Sequence, residues 1–586
     1  MQTSRPRTAH CATSGSARSS ARRTTNASKD YLPTPLDRED APPSQRPLLS
    51  QPAPILMGMT MYPTKSVADT DKVRGGYYTP EPIAEFLAAW VSGAGSKLLE
   101  PSCGDGRILR KLSTISDQAS GVELVKEEAT KARKYAPVVN KSLFDWLTRR
   151  QRERWDGVAG NPPYIRFGNW PPDQREPALE LMREEGLKPT KLTNAWVPCV
   201  VASTVAARDG GRVGLVLPAE LLQVSYAAQL RDYLISHYRR ITLITFERLI
   251  FDGVTQEVVL FLGVKGNGPA EIRTVHLKDA QSLGTAKLDG PAAPTLVHDH
   301  EKWTKYFLRP RQIQLLRRLK KSPELTTVGR LATVEVGIVT GRNSFFTFTD
   351  ADVDALNLKK HCVPLVSRSA QLSGLVYDMT CRDNDLGSNH RTWILNASVD
   401  STDPALMKHI RSGEAAEVHL GYKCSLRTPW WRTPSMWCPE IFMLRQIYAA
   451  PRMTVNSVNA TSTDTVHRVR LNAGVDPVAL STAFHNSATF AFSEILGRSY
   501  GGGLLELEPR EAELLPVPPP ELVTHDLAVD VDLLLKAGEV MKAVDLVDRH
   551  VLVEGLGWSP KRVADCQAAW TSLRDRRLSR GKNSSP

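Results

Sequence analysis

The sequence predicts a Rossmann-like α/β sheet, mostly parallel with an antiparallel last strand, followed by a second large domain of mixed α/β character. Three observations carry this. From Tyr77 to about Gly263, short apolar segments alternate with segments of helical period, the pattern of repeated βαβ units. The last two strand-like segments are separated only by a short loop containing Gly253, too short for a parallel crossover. Beyond about residue 270 the alternation stops, and Pro, Trp and Arg recur without a repeat.

The elements follow in order. Residues 1–65 are rich in Ser, Thr, Arg and Pro with little periodic apolar content, so they are expected to form a disordered tail. Thr79 is placed to cap a helix with Pro80 at its first position. Along that helix Ile83, Phe86, Leu87, Trp90 and Val91 fall on one face. Strands are expected at Lys97–Glu100, Gly121–Leu124, Gly157–Asn161, Arg212–Leu217, Ile241–Phe246 and Val258–Leu262. The expected division is a tail over 1–65, a catalytic domain over 66–268, a second domain over 269–522, and a helical segment with a frayed basic tail over 523–586.

The 586 residues exceed what one compact core accommodates, and 41% hydrophobic with 24% charged residues is an ordinary globular balance. No apolar run approaches the roughly 18 residues of a membrane span. A formal charge of +12, from 75 Lys+Arg against 63 Asp+Glu, favours a polyanionic partner without identifying one. The eight cysteines are scattered, contain no C-x-x-C pair and match no common zinc spacing, so they read as reduced, buried thiols and no metal is expected.

Two segments carry chemistry. Leu98 to Gly106 reads as a strand entering a glycine-rich turn (Glu100, Pro101, Ser102, Cys103, Gly104, Asp105, Gly106) and then a helix, a shape that lets a ligand approach the backbone. Glu123, about twenty residues on, ends the next strand where a carboxylate can accept from both ribose hydroxyls of an adenosine cofactor. Many nucleotide cofactors would suit that pair of features.

The second segment, Asn161-Pro162-Pro163-Tyr164, lies at the C-terminal end of a strand, where open α/β sheets bind ligands. Two prolines fix φ and hold Asn161 extended. The loop can then offer the Asn161 side-chain oxygen and the Pro162 carbonyl to the two hydrogens of a planar amino group, with Tyr164 stacked on the ring.

With these motifs in this order, the chain resembles the gamma-class N6-adenine DNA methyltransferases of bacterial restriction-modification systems. The resemblance implies a Rossmann-like S-adenosylmethionine-dependent methyltransferase sheet followed by a DNA target recognition domain. In Gly76-Tyr77-Tyr78-Thr79-Pro80, Tyr78 and Thr79 correspond to the segment that closes over the methionine part of the cofactor. Glu100, Ser102, Gly104 and Gly106 correspond to the main cofactor loop, and Glu123 to the ribose ligand. Phe251 corresponds to the aromatic residue facing the catalytic tyrosine across a flipped base. Where relatives often carry an acidic residue followed by Phe for the cofactor adenine, this chain has Lys141-Ser142-Leu143-Phe144-Asp145, which leaves Ser142 or Asp145 for that role.

The likeness extends through Val336–Asn343, Pro429–Trp431, Ala450–Arg452 and Gly497–Leu507, so it covers roughly residues 72–520. Arg342, Arg452 and Arg498 are the expected phosphate contacts, whereas Trp430 and Trp431 are more often core than base-stacking.

The implied activity is site-specific transfer of methyl to adenine N6 in double-stranded DNA, with Asn161, Pro162 and Tyr164 catalytic and the base rotated out of the duplex. The chain is expected in the cytoplasm, associated with the nucleoid. No nuclease carboxylate cluster is recognisable, so a restriction endonuclease is expected on a separate chain. The alternatives are a methyltransferase acting on protein glutamine or an RNA base, and a DNA-binding specificity subunit with a vestigial catalytic fold. About 250 further residues of basic, aromatic character argue against the first, and the intact motifs argue against the second.

Overall fold

The computed structural model describes residues 79–147, 151–248, 250–251, 257–267, 270–288, 292–293, 302–500 and 503–582. The expected tail over 1–65, together with Tyr78 of the cofactor segment, lies outside these residues.

A nine-stranded sheet organises the first half. Its strands are β1 (Leu98–Pro101), β2 (Ala119–Glu123), β3 (Val138–Asn140), β4 (Trp155–Gly160), β5 (Ala207–Pro218), β6 (Tyr238–Phe246), β7 (Val258–Lys265), β8 (Glu271–Leu277) and β9 (Ala292–Ala293). Their spatial order is β3-β2-β1-β4-β5-β7-β6-β8-β9. Strands β1 to β5 pair in parallel, while β7 inserts antiparallel between β5 and β6.

Every predicted strand is present, including the antiparallel β6–β7 pair. Three strands were not expected: β3, β8 and the two-residue β9. β3 is only three residues long, too short to show a period, and β8 pairs with β6 at a half-exposed edge where charged residues interrupt the alternation. The sheet therefore runs past residue 268.

Both faces of this sheet are covered, as parallel strands require. Successive residues point to opposite faces, so the apolar residues of each strand separate into two cores. Leu99, Val158, Leu215 and Phe261 pack with α6 (below) in one core, and Leu98, Ala159, Val216 and Leu260 pack with the first helix in the other.

The helices of this half are α1 (Glu81–Ser92), α2 (Arg107–Ile115), α3 (Lys126–Ala132), α4 (Leu143–Trp146), α5 (Pro172–Glu184), α6 (Trp196–Ala206), α7 (Glu220–Gln223) and α8 (Ala228–His237). α1 buries Ile83, Leu87 and Val91 as its period predicts, with Phe86 and Trp90 half-buried at its margin. The expected cap is corrected. Pro80 itself takes the N-cap position, no side chain caps the helix, and Thr79 is buried beside it. α6 is buried all round, which explains its lack of an amphipathic period.

The second half is mixed α/β. Its main sheet places Ala332–Glu335, Val466–Leu471, Ile441–Leu444, Met453–Asn456 and Val376–Tyr377 side by side. Trp431 is buried, and Trp430 lies 5.1 Å from the Phe345 ring, so this pair belongs to a core.

The expectation of a frayed C-terminal tail is corrected as far as Lys582. Residues Pro560–Lys582 form one helix packed against the helix Ser487–Leu496. Trp570 meets Phe490 edge-on at 5.0 Å, and the buried Arg577 guanidinium pairs with the buried Glu494 carboxylate at 2.6 and 3.0 Å. The basic residues that made this stretch look like a tail include the arginine that anchors it.

Candidate active site

The order β3-β2-β1-β4-β5 reverses direction between β1 and β4, and the C-terminal ends of those two strands are where an open α/β sheet forms its crevice. Both predicted motifs arrive there. β1 ends at Pro101, β4 ends at Gly160, and a side-chain carbon on Gly160 would sit 3.2 Å from the Pro101 carbonyl oxygen. The glycine turn and the Asn161 loop thus leave the sheet side by side, although about sixty residues separate them in sequence.

The turn is conformationally demanding. Ser102, Gly104 and Gly106 all adopt left-handed φ, at 60°, 53° and 85°. For Ser102 that conformation costs energy, which is common at ligand sites. Glycine at 106 is also a packing requirement, because a Cβ there would lie 2.9 Å from Ala132 of α3. At Gly104 the same construction meets nothing within 4 Å, so this side of the turn is open.

Two carboxylates hold the turn. Glu123, at the end of β2, accepts from the Gly104 N–H and the Val125 N–H, each at 2.8 Å. Glu100 accepts from the Leu109 N–H at 2.5 Å. Leu109 is the third residue of α2, whose N-cap is Gly106, so Glu100 supplies the acceptor that the glycine lacks. Burial pushes the Glu100 carboxyl well above the usual range, and the charges of Asp105 and Glu123 add to this. Burial also raises Glu123, opposed by its N–H partners. Glu100 therefore lies beneath the turn as a support for α2, while Glu123 reaches the turn itself.

Asn161 is half-buried and Pro162 buried. The Tyr164 hydroxyl donates to the Val216 carbonyl of β5 at 3.0 Å, and the next residue, Ile165, accepts from the Ala195 N–H at 2.9 Å. The stiff loop is thus tied at its far end to two elements behind it. Phe251 is buried in the apolar cluster against which Tyr164 packs.

Ser142 caps α4 by accepting from the Phe144 N–H at 3.3 Å, and Asp145 is exposed on the first turn of that helix. Sequence reading missed Asn140, whose side-chain amide donates to the carbonyls of Glu123 and Leu124, both at 2.9 Å. It fixes the backbone that carries Glu123, and its only sequence signal was an Asn at the end of an unrecognised strand.

The three arginines separate. Arg342 is solvent-exposed beside Gly341, which has φ 92°. Arg452 is largely buried, and its guanidinium donates to the Leu372 carbonyl at 2.5 Å. Arg498 pairs with Glu511 at 3.1 Å inside the fold. Arg452 and Arg498, expected on phosphates, thus each give a guanidinium hydrogen bond to an acceptor inside the fold.

A doubly wound sheet with an antiparallel seventh strand between β5 and β6, a glycine turn after β1, an acid ending β2 and a polar loop after β4 define the Rossmann-like methyltransferase class. The relatives specify it further. The family Eco57I restriction-modification methylase matches residues 106–251, and the family type II methyltransferase M.Eco57I, C-terminal domain, matches residues 300–552. Type II methyltransferase M.AccI of Acinetobacter calcoaceticus is 24% identical over 460 residues, 74% of this chain and 83% of that protein. M.XamI of Xanthomonas campestris pv. amaranthicola is 22% identical over 470 residues, 76% of this chain and 85% of that protein. The chain is a homologue of the methyltransferases of restriction-modification systems. Among solved structures, a nuclease-deletion mutant of the Type ISP restriction-modification enzyme LlaGI in complex with a DNA substrate mimic aligns with a TM-score of 0.48 at 13% identity, covering 79% of this chain and 47% of that one.

S-adenosylmethionine is the cofactor of this class, and the turn fits it. The open side at Gly104 leaves room for a ligand against the backbone, and the Glu123 carboxylate that reaches the turn suits a ligand with a net positive charge. Among the described residues no helix is long and apolar enough to cross a membrane.

Proposed function

We propose that this DNA methyltransferase modifies the exocyclic N6 amino group of adenine at a specific site in duplex DNA, as the modification component of a restriction-modification system whose nuclease is a separate chain. The observation that carries this reading is the close approach of Gly160 to Pro101, which brings the start of the Asn161 loop beside the glycine turn.

In this reading Glu123 would hold the cofactor ribose and the backbone from Ser102 to Gly106 would face the cofactor, with Thr79 serving its methionine part. Ser142 or Asp145 serves the adenine. The cofactor supplies a methyl group activated on a sulfonium, so no strong protein base is required. Asn161 accepts one amino hydrogen of the target adenine through its side-chain oxygen, and the Pro162 carbonyl accepts the other. Held out of the ring plane, these hydrogens leave the nitrogen lone pair directed at the turn. The amino nitrogen so held would take the methyl that the cofactor supplies, and its proton would pass to solvent.

Tyr164, fixed through its hydroxyl, stacks on one face of the flipped base, and Phe251 backs the other. The half built on the nine-stranded sheet carries the chemistry and the second half holds the duplex, with Arg342 on a phosphate.

Methylation-aware sequencing of DNA from cells expressing the full chain tests the base and the site together. N6-methyladenine within one recurring motif is expected. Methylation of cytosine, or none, would overturn the proposal.

A further inference from the structure

α7, the four-residue helix after β5, touches both halves of the molecule. Its last residue, Gln223, is buried and pairs with the backbone of Ser499 in both directions. Gln223 Nε2 donates to the Ser499 carbonyl, and the Ser499 N–H donates to Gln223 Oε1, each at 2.7 Å. A side-chain amide here does what a neighbouring strand would do. It closes the outer edge of the three-stranded sheet in which Arg498–Tyr500 is the outermost strand, paired to Leu504–Glu506.

The first residue of α7, Glu220, faces the other way. Its carboxylate accepts from the Tyr226 hydroxyl and from Asn194 Nδ2 at 3.4 Å, and Asn194 Nδ2 also donates to the Tyr226 oxygen at 3.0 Å. Ala195, next to Asn194, donates its N–H to the Ile165 carbonyl, one residue beyond Tyr164. α7 itself is clamped from behind, because the buried Arg231 donates to the carbonyls of Leu221 and Val224 at 3.1 and 3.0 Å. The connection from Ser499 to the Asn161–Tyr164 loop therefore runs through hydrogen bonds joined by short stretches of chain.

We propose that α7 is a coupling element and that Gln223 is a positioning residue that makes the catalytic loop responsive to the DNA held by the second half. The proposal rests on the DNA methyltransferase reading above. A correct site sets the strand Arg498–Tyr500, Gln223 passes its position to α7, and Glu220 with Asn194 sets the loop that holds the target amine. Buried polar pairs of this kind have few alternative partners, so displacement at one end is felt at the other.

The test uses the full chain and duplex DNA carrying the mapped site or a single-base variant of it. Gln223→Met keeps the length of the side chain and removes both hydrogen bonds, whereas Gln223→Glu keeps only the acceptor for the Ser499 N–H. For Gln223→Met, kcat on the correct site is expected to fall about tenfold or more while the DNA Kd and cofactor affinity stay within about threefold of the unaltered chain. The ratio of rates on correct and variant sites narrows. Gln223→Glu falls between the two, and it carries the test alone if Gln223→Met does not fold.

Hydrogen exchange supplies a readout that needs no turnover. DNA binding should slow amide exchange over residues 161–195 in the unaltered chain and not in the Gln223 variants. An unaltered chain that methylates no DNA would sink the functional reading, and the exchange result would still decide the coupling. Unchanged kcat and discrimination in both variants, parallel loss of kcat and DNA binding, or identical exchange in the variants and the unaltered chain would overturn the coupling.

Discussion

Glu123 holds the Gly104 N–H at 2.8 Å, so the acid that ends β2 fixes the left-handed residue at the centre of the turn after β1. One carboxylate thereby shapes the turn and remains beside its open side. Glu123→Ala is expected to weaken S-adenosylmethionine binding about tenfold or more, a hydrogen bond to a charged group being worth about 1.5–3 kcal/mol. Titration calorimetry checks this, and unchanged affinity would remove Glu123 from the cofactor site.

Asn161→Ala should lower the rate of methyl transfer by about two to three orders of magnitude, the usual cost of losing one group that acts in the transition state. Cofactor affinity should change little, since Asn161 lies on the β4 side of the crevice. Single-turnover rates alongside cofactor titration separate the two effects, and near-normal turnover would refute the assignment.

The arginines are expected to respond differently. Arg342→Ala should reduce DNA affinity and lower the slope of log affinity against log salt by about one unit. Arg452→Ala should instead destabilise the fold by about 1–3 kcal/mol, because the buried Leu372 carbonyl loses its donor. DNA binding across a salt series, with urea unfolding of the same proteins, distinguishes them. A changed salt slope for Arg452→Ala with unchanged stability would reverse the roles.

Asp548 gives a prediction in pH. Burial pushes its carboxyl up to about 7, although its Oδ1 accepts the Ser487 N–H at 2.9 Å. In the unfolded chain the value is about 3.9. Between these values the folded state binds more protons than the unfolded one, so this contribution to stability is full below about pH 3.9 and is lost as pH rises through about 7. Asp548→Asn should therefore gain stability relative to the unaltered chain as pH rises from 4 to 8, read as the difference between urea midpoints. A difference independent of pH would contradict this.

Arg577→Ala should be the most damaging of these changes, about 3–5 kcal/mol, since it leaves the Glu494 carboxylate buried without its partner. It also strips a donor from the Tyr448 and Gly503 carbonyls. A melting temperature equal to that of the unaltered chain would show that the C-terminal helix does not depend on this pair.

Local pattern is legible in sequence where one residue's neighbours are its own chain. The period of α1, the apolar runs of β5 to β7 and the glycine turn could all be read this way, because they depend on short stretches of chain. Asn161-Pro162-Pro163-Tyr164 was legible for a stronger reason, since two prolines set the backbone whatever surrounds them. By contrast β3, with three residues, carries too little pattern to be seen, and the ends of β8 mix charge with apolar residues because that strand lies near an edge.

The sequence by itself determined the order of motifs, the doubly wound sheet and the stiff loop after β4, all consequences of short-range sterics and of apolar periodicity. Only the tertiary structure decided which charges face water. Arg342, Arg452 and Arg498 are the same residue type in similar surroundings along the chain, and a guanidinium held inside the fold has the same sequence signature as one exposed at the surface. The same holds for Gln223 and Ser499, whose contact spans 276 positions. A hydrogen bond across that separation depends on how the helix α7 packs against the strand Arg498–Tyr500, which no local pattern encodes.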